Sequence, residues 1–303
     1  LNKESYNLLT ILGPTASGKT RLAVALANKY DGEIISADSR QIFRNMDIGT
    51  GKDLHEYGDV PHHLINIMDA GGEFSVFAFQ RLFLDAFADI RNRHKLPILC
   101  GGTGMYLDAV LRGYRMIEVP EDQELRHLVT TFDDSELAEK LRALRPDLHN
   151  NTDLLDRQRT IRAIEIELYQ KVHPEKAEPL PDIRPLIIGI HWERNLLRQR
   201  ITERLKERMD SGMIEEVQQL HESGIPWSRL DYYGLEYRFL GAYLRGELNR
   251  NDLHQKLNSA INDFAKRQGN WFRRMEKHGI LINWVEGAAN PLAEAIEIIG
   301  KYT

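Results

Sequence analysis

A single cysteine, Cys100, stands in the whole chain, so neither a disulfide nor a thiolate metal cluster can be built. It sits in the apolar run Leu96 to Cys100, where a small buried residue packs well, and redox chemistry is not expected. No apolar run is long enough to span a bilayer, and the stretch Leu1 to Asn7 lacks the charged-then-apolar layout of a secretion signal, so a cytoplasmic protein with no membrane partner is expected. Basic residues are not in excess: 40 Lys and Arg against 45 Asp and Glu give a net charge of -5, so any contact with nucleic acid must come from local charge. Internal repeats and low-complexity tracts are also missing. Hydrophobic residues at 42% and charged ones at 28% exclude a disordered or fibrous chain.

What is present alternates strand with helix. Asn7 to Leu12 is a short apolar run ending at Gly13, followed by helical spacing through Arg21 to Lys29 and a second apolar run, Glu33 to Ala37, ending at Asp38. Phe77 to Ile90 reads as an amphipathic helix, Leu96 to Cys100 as a strand, and Gly101 to Gly104 as a turn. Such alternation implies an α/β fold, a parallel sheet with flanking helices. From Gly113 to about Pro185 the spacing is helical, over Leu125 to Leu144 and Leu154 to Tyr169, with no convincing strand. Leu186 to Trp192 returns to strand, a helix is expected over Asn195 to Leu220 and another over Leu253 to Met275, and Ile280 to Val285 reads as a last strand. Asn290 and Pro291 suit the cap and first turn of a closing helix, Leu292 to Ile299. The expected organisation is therefore a core domain over residues 1–112 and 184–303, with a helical insertion domain at residues 113–183.

The segment Gly13-Pro14-Thr15-Ala16-Ser17-Gly18-Lys19-Thr20 fits G-x-x-x-x-G-K-[ST] between a strand and a helix. Backbone N–H groups in such a loop converge on phosphate oxygens, Lys19 adds charge, and the Thr20 hydroxyl can ligate Mg²⁺. The fold class is accordingly P-loop NTPase-like. Most proteins with this loop act on a nucleoside triphosphate and carry an Asp after an apolar strand for the Mg²⁺ network. Here the strand at Leu96 to Cys100 runs into Gly101-Gly102-Thr103 instead, which weakens an ATPase reading.

Three further segments narrow the choice: Ser36-Ala37-Asp38-Ser39-Arg40-Gln41 leading to Met46-Asp47-Ile48-Gly49-Thr50-Gly51-Lys52; Pro61-His62-His63-Leu64; and Pro97 to Tyr106 with its Cys100-Gly101-Gly102-Thr103-Gly104 centre. With the loop they resemble the tRNA dimethylallyltransferase family, also called tRNA isopentenyltransferase. The resemblance continues through Gln158 to Glu165, Arg200 to Val217 and Ala265 to Gln268, and so covers most of the chain in order. It implies transfer of a dimethylallyl group from dimethylallyl diphosphate to the N6 amine of the adenine adjacent to the anticodon in tRNA, releasing diphosphate, with Mg²⁺ and without ATP. Partners so implied are dimethylallyl diphosphate and a tRNA anticodon stem-loop, and a monomer is expected.

The resemblance also assigns roles. It places Gly13 to Thr20 on the diphosphate, with Lys19 and Arg204 beside the leaving group, Thr103 beside the diphosphate and the reacting amine, and Asp38 as the base that takes the amine proton. On its own residues Asp38 reads as a cap or turn, and Arg204 as one charge on a solvated helix face with Arg194, Arg198, Arg200, Lys206 and Arg208. Asp38, Ser39, Arg40, Gln41, Thr103, Arg126, Gln158, Arg159, Thr160, Ile161 and Arg162 are placed on tRNA. Arg159 and Arg162 lie on one face of a helix whose packed side is Ile161, Ile164 and Leu168. His62 and His63 read as structural, since adjacent strand residues point apart. Trp227, Tyr232 and Tyr233 could stack on unpaired bases or cover a core edge.

The chain departs from the family at two places. Glu236-Tyr237-Arg238 stands where Gly-Tyr-Lys or Gly-Tyr-Arg is usual, and Ile261-Asn262-Asp263 where Thr-Arg-Gln is usual; both are expected to alter tRNA-facing groups. The competing readings are an adenylate dimethylallyltransferase acting on free AMP, ADP or ATP, a P-loop kinase with Arg159 and Arg162 as lid arginines, and a non-catalytic RNA-binding relative.

Overall fold

The structure, a computed structural model, describes residues 6–146, 154, 156–173 and 180–302. Its strands are β1 Leu8–Leu12, β2 Gly32–Ala37, β3 His62–His63, β4 Leu96–Gly101, β5 Pro185–His191 and β6 Asn283–Glu286. They form one parallel sheet in the order β3-β2-β4-β1-β5-β6. Every residue of β1 and β2 is buried, as befits near-continuous apolar strands covered on both faces. Registry aligns Leu12 with Gly101 and Gly101 with Ala37. The loops after β1, β2 and β4 therefore leave the carboxyl edge side by side, where open α/β sheets bind ligands.

The helices are α1 Lys19–Tyr30, α2 Val76–Asn92, α3 Gly104–Leu111, α4 Gln123–Leu128, α5 Asp134–Leu144, α6 Arg157–Val172, α7 Arg194–Asp210, α8 Met213–Glu222, α9 Trp227–Tyr232, α10 Leu235–Leu244, α11 Arg250–Lys277 and α12 Pro291–Gly300. Leu22 and Leu26 of α1 with Ala295 and Ile299 of α12 build the core on one face of the sheet. Phe79 and Phe83 of α2, Leu205 of α7 and Phe272 of α11 belong to the core on the other. The closing helix starts as expected, Asn290 accepting from the Ala293 N–H and Pro291 filling the first position.

Two compact units divide the chain: residues 1–114 with 182–303, and residues 115–181. The second unit has its own small core of Leu125, Val129, Leu137, Leu141, Ile161 and Ile164. No helix among the described residues is long and apolar enough to cross a membrane.

Two long expected helices are broken. In place of one helix over Leu125 to Leu144, the chain ends α4, makes a 3-10 turn at Val129–Thr131, and restarts at Asp133, whose carboxylate forms a capping box with Glu136. The helix expected over Asn195 to Leu220 turns at Ser211-Gly212 and becomes α7 and α8. Neither break interrupts the apolar spacing, which is why periodicity alone ran through them. The helices α3 and α9 and the two-residue β3 were too short to register as periodic, and α10 lay in a stretch read as a tyrosine-containing turn.

Candidate active site

The phosphate loop spans the turn from β1 to α1. Gly18 takes φ 85, a left-handed conformation open to glycine, and hands the chain to Lys19 as the first helical residue. The loop is braced from outside: Arg200 Nε donates to the Ala16 carbonyl at 2.9 Å, Trp192 Nε1 to the Ser17 carbonyl at 3.0 Å, and the Arg200 guanidinium lies 4.3 Å from the Trp192 ring centre. Ser17 Oγ is buried without a hydrogen-bond partner. Lys19 is only partly exposed, and burial, with a smaller push from Arg204 and Arg208, lowers its pKa against the opposing pull of Cys100 and Asp38. A buried cation with its pKa held down gains most from an arriving anion.

Asp38 and Thr103 emerge from the adjacent strand ends. Asp38 Oδ1 accepts from the Arg40 N–H at 3.0 Å, Thr103 Oγ1 accepts from the Ser39 N–H at 3.1 Å, and the Thr103 N–H donates to the Ala37 carbonyl at 3.2 Å. The threonine hydroxyl thus accepts within the protein and keeps its proton to donate elsewhere. Gln268 of α11 ties this pair to the phosphate loop: its Oε1 accepts from the Thr15 N–H at 2.8 Å and its Nε2 donates to the Gly102 carbonyl at 3.0 Å. Sequence reasoning assigned Gln268 no role, although it closes the Ala265 to Gln268 segment. Cys100 lies beneath, its thiol pushed up to about 12 by burial.

Arg204 reaches the same corner from α7, its Nη2 donating to Asp53 Oδ2 and lying 3.4 Å from the Gly51 carbonyl. Burial tends to raise the Asp53 pKa, but Arg204 and Arg208 overcome it and the carboxyl is held low. The loop carrying Gly51 and Asp53 is fixed by two side chains that sequence reasoning passed over. Glu216 of α8 accepts from the Asp47, Ile48 and Gly49 N–H groups at 2.7, 2.6 and 2.9 Å and from the Tyr237 hydroxyl at 2.8 Å. Lys52, fully buried, donates to the Phe43 carbonyl, Asp47 Oδ1 and Asn66 Oδ1. Lys52 and Glu216 both stood in segments that carry the family resemblance, but neither was given a role there.

Several assigned residues point inward. Gln41 is buried, receiving from Ser36 Oγ at 2.9 Å and donating to the Gly51 carbonyl at 3.2 Å, so its amide is used within the protein. Arg40 pairs with Glu236 and lies over the Phe264 ring. Of the two departures expected to alter tRNA-facing groups, Glu236 and Ile261 are instead buried and line a narrow crevice with Thr15, Ala16, Arg204 and Arg208, whereas Asn262 is half-buried and Asp263 exposed. Arg208, expected on a solvated face, is buried there too. His63 pairs with Glu33 at 2.8 Å, and no cluster of three or more metal-ligating His, Cys, Asp or Glu occurs among the described residues. Trp227 stacks on His221 and Tyr233 bonds to the Gly72 carbonyl, which leaves Tyr232 as the exposed ring of the three. A cavity of about 610 Å³ opens beside Pro14 on the β5–β6 side, between α7 and α11, but reaches neither Asp38 nor Thr103.

In the second unit Thr160 and Ile161 are buried, while Gln158 and Arg159 are exposed on α6. Glu165, with no exposed side-chain surface, accepts from Arg126 Nε and Nη2 at 2.6 and 3.1 Å, from Arg162 Nη1 at 3.0 Å and from the Asp122 N–H at 3.1 Å. Arg162 also donates to the Val119 carbonyl at 2.6 Å.

A family model described as IPP transferase matches residues 41–275, and one described as Isopentenyl transferase matches residues 6–58. The chain belongs to the IPP transferase family. The phosphate loop and Asp38 fall in the shorter match, and Thr103, Arg204 and Gln268 in the IPP transferase match. A protein of Pelobacter propionicus named tRNA dimethylallyltransferase 2 is 68% identical over 298 residues, 98% of this chain and 95% of the relative. One of the same name from Trichlorobacter lovleyi is 65% identical over 298 residues, 98% of each. The full-length tRNA isopentenylpyrophosphate transferase of Bacillus halodurans matches this IPP transferase in structure with a TM-score of 0.72 at 32% identity, over 99% of this chain and 97% of that one.

Proposed function

We propose that this protein transfers a dimethylallyl group from dimethylallyl diphosphate to the N6 amine of the adenine adjacent to the anticodon in tRNA, releasing diphosphate. The observation that carries the reading is the single hydrogen-bonded corner in which the phosphate loop, Asp38 and Thr103 meet at the carboxyl edge of the sheet, bridged by Gln268. Family membership and the names of the relatives support the choice of substrates.

The residues divide the work by charge. Loop N–H groups, Lys19, Arg204 and the Thr103 hydroxyl bind the diphosphate and take up the negative charge that grows as its bond to the allylic carbon breaks. The N6 lone pair forms the new C–N bond, the C–O electron pair leaves with diphosphate, and Asp38 accepts the amine proton. Thr20, in the first turn of α1, suits a cation held largely through diphosphate oxygens and water, which fits a site with no cage of carboxylates or imidazoles among the described residues. Mg²⁺ there would supply added positive charge to the leaving group.

On the RNA side, exposed Gln158 and Arg159 and the backbone at Ser39 are offered to the anticodon loop. Gln41, Arg126, Thr160, Ile161 and Arg162 shape the surfaces that present them. The test is incubation of purified protein with labelled dimethylallyl diphosphate and either unmodified tRNA or AMP. Label on tRNA is expected; label confined to AMP establishes the free-nucleotide reaction instead, and ATP consumption without prenyl transfer establishes a kinase.

A further inference from the structure

Helix α7 carries a second arginine one turn beyond Arg204. The Arg208 side chain is 13% exposed, and its Nε and Nη2 are buried with no hydrogen-bond partner. Asp53 Oδ2 stands 3.8 Å from Nη2, beyond hydrogen-bond reach, and is already engaged by Arg204. Buried donors left unmet cost stability, so an arginine kept in this state calls for a ligand or another reason.

The surroundings point to an anion. Arg208 lines a crevice of about 10 Å³ with Thr15 and Ala16 of the phosphate loop and with Arg204, which sets it beside the loop without itself enclosing an anion. Its charge is close enough to Lys19 to lower that residue's pKa, and burial, followed by the Arg204 charge, lowers its own to about 10. The chain also makes room for it. Gly51 takes φ 62, and a Cβ at that position would fall 1.4 Å from Arg208 Nη2 and 2.7 Å from Arg204 Nη2. No larger residue at Gly51 permits this placement of both guanidinium groups.

We propose that Arg208 is a further substrate-binding residue, a second guanidinium that grips the diphosphate from the α7 side together with Arg204. The proposal rests on the reading of the loop as a dimethylallyl diphosphate site. A planar fork with unmet donors suits phosphate oxygens, and each such charge-assisted bond is stronger than a neutral one. An arginine that merely fills space over Gly51 would behave in the opposite way, since its removal would relieve unmet donors and leave ligand binding alone.

The experiment uses the full chain with Mg²⁺, inorganic pyrophosphate as the probe in calorimetry, and steady-state KM values for dimethylallyl diphosphate and tRNA. Arg208→Met is expected to raise the pyrophosphate Kd and the dimethylallyl diphosphate KM by about tenfold or more, with the tRNA KM unchanged. Arg208→Lys recovers part of the loss. Gly51→Ala displaces the guanidinium groups without changing charge and moves the same two constants in the same direction; thermal melting identifies a misfolded variant, in which case the two Arg208 variants carry the test. A folded Arg208→Met protein that binds pyrophosphate as tightly as the parent overturns the role of Arg208 alone. A parent that binds neither pyrophosphate nor dimethylallyl diphosphate overturns the reading of the loop, and this proposal with it.

Discussion

Arginines on α4 and α6 of the insertion unit and on α7 look alike in the sequence, each set mixed with acidic neighbours on a helix, yet the protein treats them differently. In the insertion unit, Glu165 and backbone carbonyls take up the guanidinium groups of Arg126 and Arg162. At the sheet edge, Asp53 is engaged by Arg204 and stands 3.8 Å from Arg208 Nη2, so Arg208 keeps buried donors without hydrogen-bond partners. Satisfied cations hold a fold together, whereas an arginine with unmet donors beside a phosphate loop is the one to test for anion binding.

That contrast can be broken most sharply at the sheet edge. Asp38→Ala is expected to lower kcat at least about a hundredfold with little change in tRNA affinity, as removal of a base does. Equal turnover in variant and parent would take Asp38 out of the chemistry. In the insertion unit the same kind of change should act on folding. Glu165→Gln removes the charge that two arginines share and is expected to destabilise this unit by about 3 kcal/mol, read as a lower melting transition or earlier proteolysis within residues 115–181. Turnover lost at unchanged stability would contradict that division.

Glu33 sharpens the satisfied side of the comparison. Hydrogen bonds from Arg93, opposed by burial and aided by His63, hold its carboxyl at about 2, below the ordinary 4.5. Because the folded value is depressed, the stabilisation is complete above pH 4.5 and is lost as pH falls towards about 2. Thermal melts across that window should show a steep acid limb in the parent and a shallower one in Glu33→Gln. Identical limbs would assign the acid sensitivity to other carboxylates.

The phosphate loop was legible because its function is local: glycines, a lysine and a helix start must be adjacent in the chain for backbone donors to converge. Strands β1, β2, β4 and β5 were legible as continuous apolar runs. Gln268 was not, since it joins Thr15 to Gly102 across 253 and 166 positions, a partnership set by tertiary packing. Nor was the burial of Arg208, because a run of alternating charges carries no mark of which member turns inward. Glu236 and Ile261 were visible as departures from the family, but the pocket they share with Arg208 exists only in the folded chain.

The smallest expected effect separates neighbours on α6. Arg159 is exposed and its N–H serves the Asp156 cap, while Arg162 is bound to Glu165 and Val119. A single arginine–phosphate contact contributes modestly, so Arg159→Ala is expected to weaken tRNA binding only several-fold, by about 1 kcal/mol, and to reduce the slope of log K against log salt by about one. Arg162→Ala, by contrast, should lower the melting temperature and change RNA affinity only as far as the unit loosens. Titrating both variants with tRNA at several salt concentrations decides between them. If Arg162→Ala lost the salt-dependent contact at full stability while Arg159→Ala kept it, hydrogen-bond satisfaction would be a poor guide to which arginines are free to act.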